Sequence, residues 1–368
     1  MNKRINWIDA LRGFTIILVV LGHIERGLKG EGLFLNYSLQ LFDNIIYSFH
    51  MPLMFMISGF LYGRSNIIDI YQPTKNQSNF LYIKKMLPIW FNYISKKIIS
   101  FYIPAIIFTY CLLVMQIIVY GYEINYYKFI QVFYQPYSIY WFLYALMIIT
   151  IFYSLIDILI TNENIVFGIS IFIYFLSRSF IVNHQAIGWI LEYIGLGIFF
   201  YSGKIVTRFV YIIELNNRYK ITEKLKTTAI ITLLVLVISF ICCNYLHSNW
   251  SFIFILGEVL VASLINIALF FLFKLFSDID DKFYKTWFIQ VLICIGKNSM
   301  VIYVIHTILT AGVRVILCKF GIYVFWIHVI LATILGLGAP ILLFRFCNQI
   351  RYLRWVRYFF YPADLLRG

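Results

Sequence analysis

The chain has 368 residues, of which 62% are hydrophobic and 20% aromatic, while only 12% are charged. An ordinary soluble domain is roughly a quarter charged, so this composition, with its mean hydropathy of +0.85, excludes that class. The formal net charge of +14 does not point to a nucleic-acid partner. In a membrane chain it is the mark of Lys- and Arg-rich cytoplasmic loops.

Apolar runs long enough to cross a bilayer recur along the whole chain. Ten spans are expected: 7–24, 41–62, 98–120, 139–160, 165–182, 187–203, 227–243, 251–273, 296–317 and 322–344. The first is not a cleavable signal, because nine further hydrophobic segments follow and no small-residue cleavage site ends it. Six cysteines (Cys111, Cys242, Cys243, Cys294, Cys318, Cys347) form no CxxC pair. They are expected to be lipid-facing or core thiols, with neither a disulfide framework nor a metal site. Trp7, Trp141, Trp189, Trp250, Trp326 and Trp355 fall near span ends, where amphipathic rings anchor at the interface. The fold expected is an all-α polytopic membrane protein of about ten transmembrane helices with both termini cytoplasmic. It forms one membrane domain over 1–368, with no additional soluble domain.

The first span reads DALRGFTIILVVLGH over 9–23 and carries Asp9, Arg12 and His23. A charged group near the bilayer centre costs at least ~2.5–3.5 kcal/mol, so each is a functional candidate by default. Arg12 and His23 are eleven residues apart, which returns to within about 20° of one helix face and about 16 Å further along the axis. Asp9 lies one turn below Arg12 and about 40° from His23. One stripe of this helix therefore carries all three. The competing structural account is that Arg12 snorkels to the inner headgroups and His23 caps the outer end.

The second span reads LFDNIIYSFHMPLMFMISGFLYG over 41–63. Pro52 frees a backbone carbonyl, and His50 sits mid-span beside it as a second candidate base or a brace for a kink. Ser58 and Gly59 allow close helix approach. Ser58 does not stand in a G-x-S-x-G elbow, since Met56 occupies the first position, so a serine hydrolase is not indicated.

An Arg, ten residues and a His in the first span, followed by FHMPLMFMISGFLYG in the second, resembles the membrane acyltransferase-3 family. ISKKIISFYIPAII (94–107), WFLYALMII (141–149) and IGKNSMVIYVIHTIL (295–309) agree with that family's pattern. The resemblance covers the whole chain. It implies a bacterial inner-membrane, multi-pass enzyme that transfers an acyl group, by default acetyl, from cytoplasmic acyl-CoA to a hydroxyl of a surface polysaccharide or lipid-linked glycan. It also implies that Arg12 and His23 are essential. The sequence departs from the family at the usual Arg pair before the third span: Lys96 and Lys97 stand at the first position, and Ser100 is about where the second would be. Lys lacks the bidentate fork of Arg, so donor contacts there differ.

On this basis Lys96, Lys97 and Arg12 are inner-side cations for the CoA phosphates, and His23 is the general base that takes the acceptor proton. A covalent acyl-histidine is the alternative. Glu192 and Glu258 are candidates to orient His23 or to bind acceptor hydroxyls, against protonated interhelical hydrogen bonds. Trp141 is a candidate to stack on a sugar face, against belt anchoring. His306 is a mid-span candidate, whereas His184, His247 and His328 are expected to be structural. Asn298 and Ser299 are expected to cap the helix that follows. No bound cofactor is expected, with acetyl-CoA or another acyl-CoA as donor substrate; membrane lipids and the glycan acceptor are the other partners. The competing class is a transporter or flippase for a lipid-linked glycan, which acyl-CoA consumption distinguishes from an enzyme.

Orientation follows from counting. With the N-terminus inside, the inner segments hold 24 of the 30 Lys and Arg residues, leaving Arg26, Lys29, Lys128, Arg178, Arg314 and Lys319. The positive-inside rule then puts both termini in the cytoplasm. A reporter fused after Gly368 is expected to register as cytoplasmic; one active only outside the cell overturns this orientation.

Overall fold

The computed structural model describes residues 4–33, 37–65, 79–121, 126–180, 188–216, 252–279 and 283–367. Among the described residues there is no strand. A chain this apolar must satisfy its backbone internally, and helices do so within each segment. The helices are α1 (Asn6–Gly30), α2 (Tyr37–Gly63), α3 (Asn79–Tyr120), the short α4 (Tyr126–Gln131), α5 (Trp141–Leu159), α6 (Glu163–Phe180), α7 (Gly188–Asn216), α8 (Phe252–Ile279), α9 (Trp287–Lys297), α10 (Ser299–Lys319), α11 (Phe325–Gln349) and the short α12 (Arg357–Phe360). Eight of those described are long and apolar enough to cross a membrane, so the protein is an all-α polytopic membrane protein. The expected span at 165–182 corresponds to α6, and the one at 227–243 lies outside the described residues.

Two expected boundaries are corrected. The basic stretch before the third span is not a loop, because α3 runs unbroken over 42 residues through Pro88 and Pro104. Its length is about 63 Å, twice the hydrocarbon thickness of about 30 Å. Tyr82 and Met86 repeat at helical spacing and pack with Ile158 of α5, joined by Trp90. That stripe keeps the segment helical. The second correction concerns 287–297, which is α9 and not an inner loop. Ile289, Leu292, Ile293 and Gly296 recur at i, i+3, i+4 and i+7 and are buried, and Ile289, Leu292 and Ile293 pack with Ala10 of α1.

The chain divides into two compact units, one of residues 1–61 and 203–342, the other of 62–202 and 343–368. In the first, α1 packs against α8, α9 and α10. Its main core draws Trp7, Leu11, Phe60, Val206 and Phe270 from four helices. Trp7 is only 4% exposed, with ring centroids 5.4 Å from Phe60 and 5.0 Å from Phe270, both edge-on. Trp7 is therefore a core residue and not an interfacial anchor; Trp326 and Trp355 remain exposed. Two small-residue contacts set how closely helices approach. A Cβ at Gly203 of α7 would strike the Met56 carbonyl of α2, and Thr207 Oγ1 donates to the Phe60 carbonyl at 3.1 Å. A Cβ at Gly13 would strike the Leu292 carbonyl, and one at Gly296 the Asp9 carbonyl. Gly13 and Gly296 thus bring α1 and α9 together backbone to backbone.

The second unit is organised around tyrosine hydroxyls. Tyr62 and Tyr201 donate to the two oxygens of buried Asp157 at 2.8 and 2.9 Å, and Trp90 Nε1 donates to Ser154 Oγ at 2.8 Å. Tyr102, Tyr110 and Tyr144 donate to the carbonyls of Phe133, Phe129 and Val132, which ties down α4 and the turn after it. The described cysteines Cys111, Cys294, Cys318 and Cys347 are in no disulfide.

Gly296→Val is expected to destabilise the detergent-solubilised protein by about 1–3 kcal/mol through overpacking of the α1–α9 contact. Gly338→Val is the control, since nothing lies within 4 Å of a Cβ there. Thermal unfolding followed by size-exclusion chromatography reads the difference. Tyr62→Phe removes one hydrogen bond to a buried carboxylate and is expected to lower stability by about 1.5–3 kcal/mol.

Candidate active site

α1 places polar side chains at both ends of one buried helix. Near its start, Asp9 sits in the first turn, where a carboxylate is favoured by the exposed backbone N–H groups. Asp9 is 3% exposed. Arg4 Nε lies 3.4 Å from Asp9 Oδ2 and Arg12 Nη1 lies 3.9 Å from Asp9 Oδ1. Arg4 also donates from Nη2 to the Lys297 carbonyl at 3.4 Å, and the Lys297 ammonium acts electrostatically on Asp9. Three cations therefore gather about one carboxylate, at the point where Gly13 and Gly296 bring α1 and α9 together. Asp9 turns Arg12 inward, and its side chain is 24% exposed.

The far end of the stripe holds His23. Its ring packs against His306 of α10, with centroids 5.3 Å apart and planes tilted by 46°. His306 is fully buried and His50 is 1% exposed. Among the described residues, His306, His50 and Arg26 lie close enough to His23 to act on it electrostatically. His50 Nδ1 donates to the Ile46 carbonyl at 2.6 Å, and His306 Nδ1 faces the carbonyls of Tyr303 at 2.8 Å and Ile302 at 3.1 Å. His23 therefore faces the interior of its unit, as the one-stripe expectation requires.

Residues that sequence patterning did not select complete this end. Tyr47 meets the His50 ring edge-on at 4.7 Å. The Arg26 guanidinium lies 3.1 Å from the centre of the Tyr47 ring and donates to both Asp43 oxygens at 3.3 Å. Gly22 leaves room for the hydroxyl end of Tyr47, since a Cβ there would meet Tyr47 Cζ and Oη. Glu25 is 7% exposed, and Arg314 Nε donates to Glu31 Oε1 at 3.2 Å. The signal for Glu25 and Arg26 was present in the charge pair following His23. Lys297 stood in the quoted IGKNS stretch, with nothing in spacing alone to bring it to Asp9.

Each of the other candidates has surroundings of its own within its unit. Ser58 Oγ donates to the Met54 carbonyl at 2.8 Å, within its own helix. Glu258 is exposed on α8. In the second unit Lys97 lies near the Tyr93 and Phe101 rings at 5.5 and 5.8 Å, and Ser100 Oγ donates to the Lys96 carbonyl. Trp141 stacks on Tyr193 with centroids 5.9 Å apart, and Glu192 pairs with Arg178 at 3.6 Å. His328 donates from Nε2 to the Ile322 carbonyl at 2.8 Å, while His184, His247 and Trp250 lie outside the described residues. Asn298 does not cap α10 with its side chain; its Nδ2 donates back to the Cys294 carbonyl at 2.8 Å and so closes α9.

α1 thus carries a cationic cluster at one end and packed imidazoles at the other. A family model described as an acyltransferase domain matches residues 5–345, and the chain belongs to the acyltransferase-3 family. No curated protein and no solved structure matches the chain. The protein is thus a multi-pass membrane acyltransferase.

Arg12→Leu is expected to leave Asp9 with less compensating charge and to lower thermal stability, by up to about 3–5 kcal/mol where a buried pair loses one partner. In Asp9→Asn/Arg12→Leu the loss is expected to be smaller than the sum of the single losses. Additive melting shifts argue against the pair.

Proposed function

We propose that this chain is an O-acyltransferase of the bacterial inner membrane. It moves an acyl group, acetyl by default, from cytoplasmic acyl-CoA to a hydroxyl of a surface polysaccharide or lipid-linked glycan. The observation that carries this proposal is the pairing of a three-cation cluster with an inward-facing histidine along one buried helix of an acyltransferase. The charge distribution puts the Arg12 end of α1 on the cytoplasmic side. The donor's phosphates meet Arg12, Arg4 and Lys297, with guanidinium groups suited to paired phosphate contacts. Arg12 lies about 16 Å from His23 along the helix, so it binds donor and does not touch the thioester.

The acceptor alcohol is a weak nucleophile near neutral pH. His23 takes its proton as the oxygen attacks the thioester carbon. The C–O bond forms, the C–S bond breaks, and the His23 imidazolium returns the proton to the departing thiolate. The products are the ester and free CoA.

The test uses vesicles containing the full chain, labelled acetyl-CoA and the host's own envelope glycan. His23→Ala is expected to lower transfer by ~10²–10⁴-fold, the range for a general base, with the protein still folded. Arg12→Gln is expected to raise the KM for acetyl-CoA. Full transfer by His23→Ala removes the base assignment, and substrate movement without acetyl-CoA consumption removes the enzyme.

A further inference from the structure

We infer that His306 is a positioning residue that fixes the tautomer of His23. This rests on the proposal that His23 is the base. His306 directs Nδ1 at two backbone carbonyls, at 2.8 and 3.1 Å. Carbonyl oxygens only accept, so Nδ1 carries the proton and Nε2 of the neutral ring is an acceptor. That Nε2 is buried and has no hydrogen-bond partner among the described residues. A buried acceptor calls for a donor.

The neighbours narrow the choice. His50 commits its Nδ1 proton to the Ile46 carbonyl at 2.6 Å, which leaves its other nitrogen an acceptor too. Arg26 spends its guanidinium on Asp43 and the Tyr47 ring. Two rings pack against His306: that of Tyr303, one turn back on its own helix, with centroids 6.2 Å apart, and, closer, that of His23 at 5.3 Å, which makes no hydrogen bond among the described residues. His23 N–H is the donor that satisfies His306 Nε2, through a small rotation of either ring. This leaves the second His23 nitrogen deprotonated and directed away from His306, as a base requires. When that nitrogen takes the acceptor proton, His306 Nε2 stabilises the resulting imidazolium by accepting its other N–H. No acid is needed in this arrangement. The backbone of α10 sets the tautomer of His306, and His306 sets that of His23.

The test uses the full chain in nanodiscs with ¹⁵N-labelled histidine, the His23 signals being assigned by their loss in His23→Gln. Wild type is expected to show one dominant His23 tautomer, and His306→Ala a mixture. Transfer from acetyl-CoA is expected to fall roughly 10- to 100-fold in kcat in His306→Ala, the range for removing a group that orients a functional side chain, with the KM for acetyl-CoA unchanged. His306→Gln places an amide oxygen near the lost Nε2 and is expected to restore both the tautomer and much of kcat. Mixed His23 tautomers in wild type overturn the inference, and that measurement needs no variant to fold. An unchanged tautomer and kcat in His306→Ala overturn it as well. If His306→Ala mixes the tautomer while His23→Ala still transfers at full rate, the histidine pair stands and the base assignment falls.

Discussion

The backbone contact between Gly13 and Gly296 is the constraint on which the rest of the first unit depends. Any side chain at either position would meet a carbonyl of the opposing helix. Removing both side chains lets α9 lie directly on α1 and cover the face that carries Asp9 and Arg12. Without that cover the polar stripe of α1 would meet lipid, at a cost of several kcal/mol per charge near the bilayer centre. The same contact brings Lys297, one residue beyond Gly296, close enough to Asp9 to act on it electrostatically. A packing device thereby becomes part of the cation cluster.

The two ends of α1 solve different problems. Near Asn6 the requirement is to hold several positive charges together, and a single buried carboxylate does so for Arg4 and Arg12. Near Gly30 the imidazoles of His23 and His306 are packed ring against ring. Backbone carbonyls supply orientation there, since helix residues four apart place a ring nitrogen over a carbonyl of the preceding turn, as at His50 and His306. The clamp of Arg26 on Tyr47 and Asp43 closes the same region with polar groups paired to one another. Pairing of this kind is how a membrane protein keeps such groups away from lipid.

Arg12 and His23 were legible from the sequence because helical geometry alone puts residues eleven apart on one face, and the cost of placing them in lipid demands an interior. His306 was legible only as a mid-span candidate. Glu258 shows the limit of the same logic: a carboxylate in an apolar run need not be enclosed, and this one is exposed. Trp7 departs in the opposite sense: its place at a span end suits an anchor, yet Phe60 and Phe270 enclose it. α9 was missed because its eleven residues are too few to span, so hydropathy assigned them to a loop. The first half of α3 was missed for its lysines, although Tyr82, Met86 and Trp90 already repeated at helical spacing.

By itself the sequence determined the class of protein and which residues of α1 share one face. Hydropathy, helical periodicity and loop charge are local quantities that a linear chain displays in full. Only the tertiary structure decided that Lys297 comes near Asp9, that His306 faces His23, and that Tyr47 and Asp43 share Arg26. Those pairings join residues up to about three hundred positions apart, and they arise from how closely particular helix backbones can approach. That distance is set by which face of each helix lacks a side chain, and a linear pattern does not reveal which partner will lie against it.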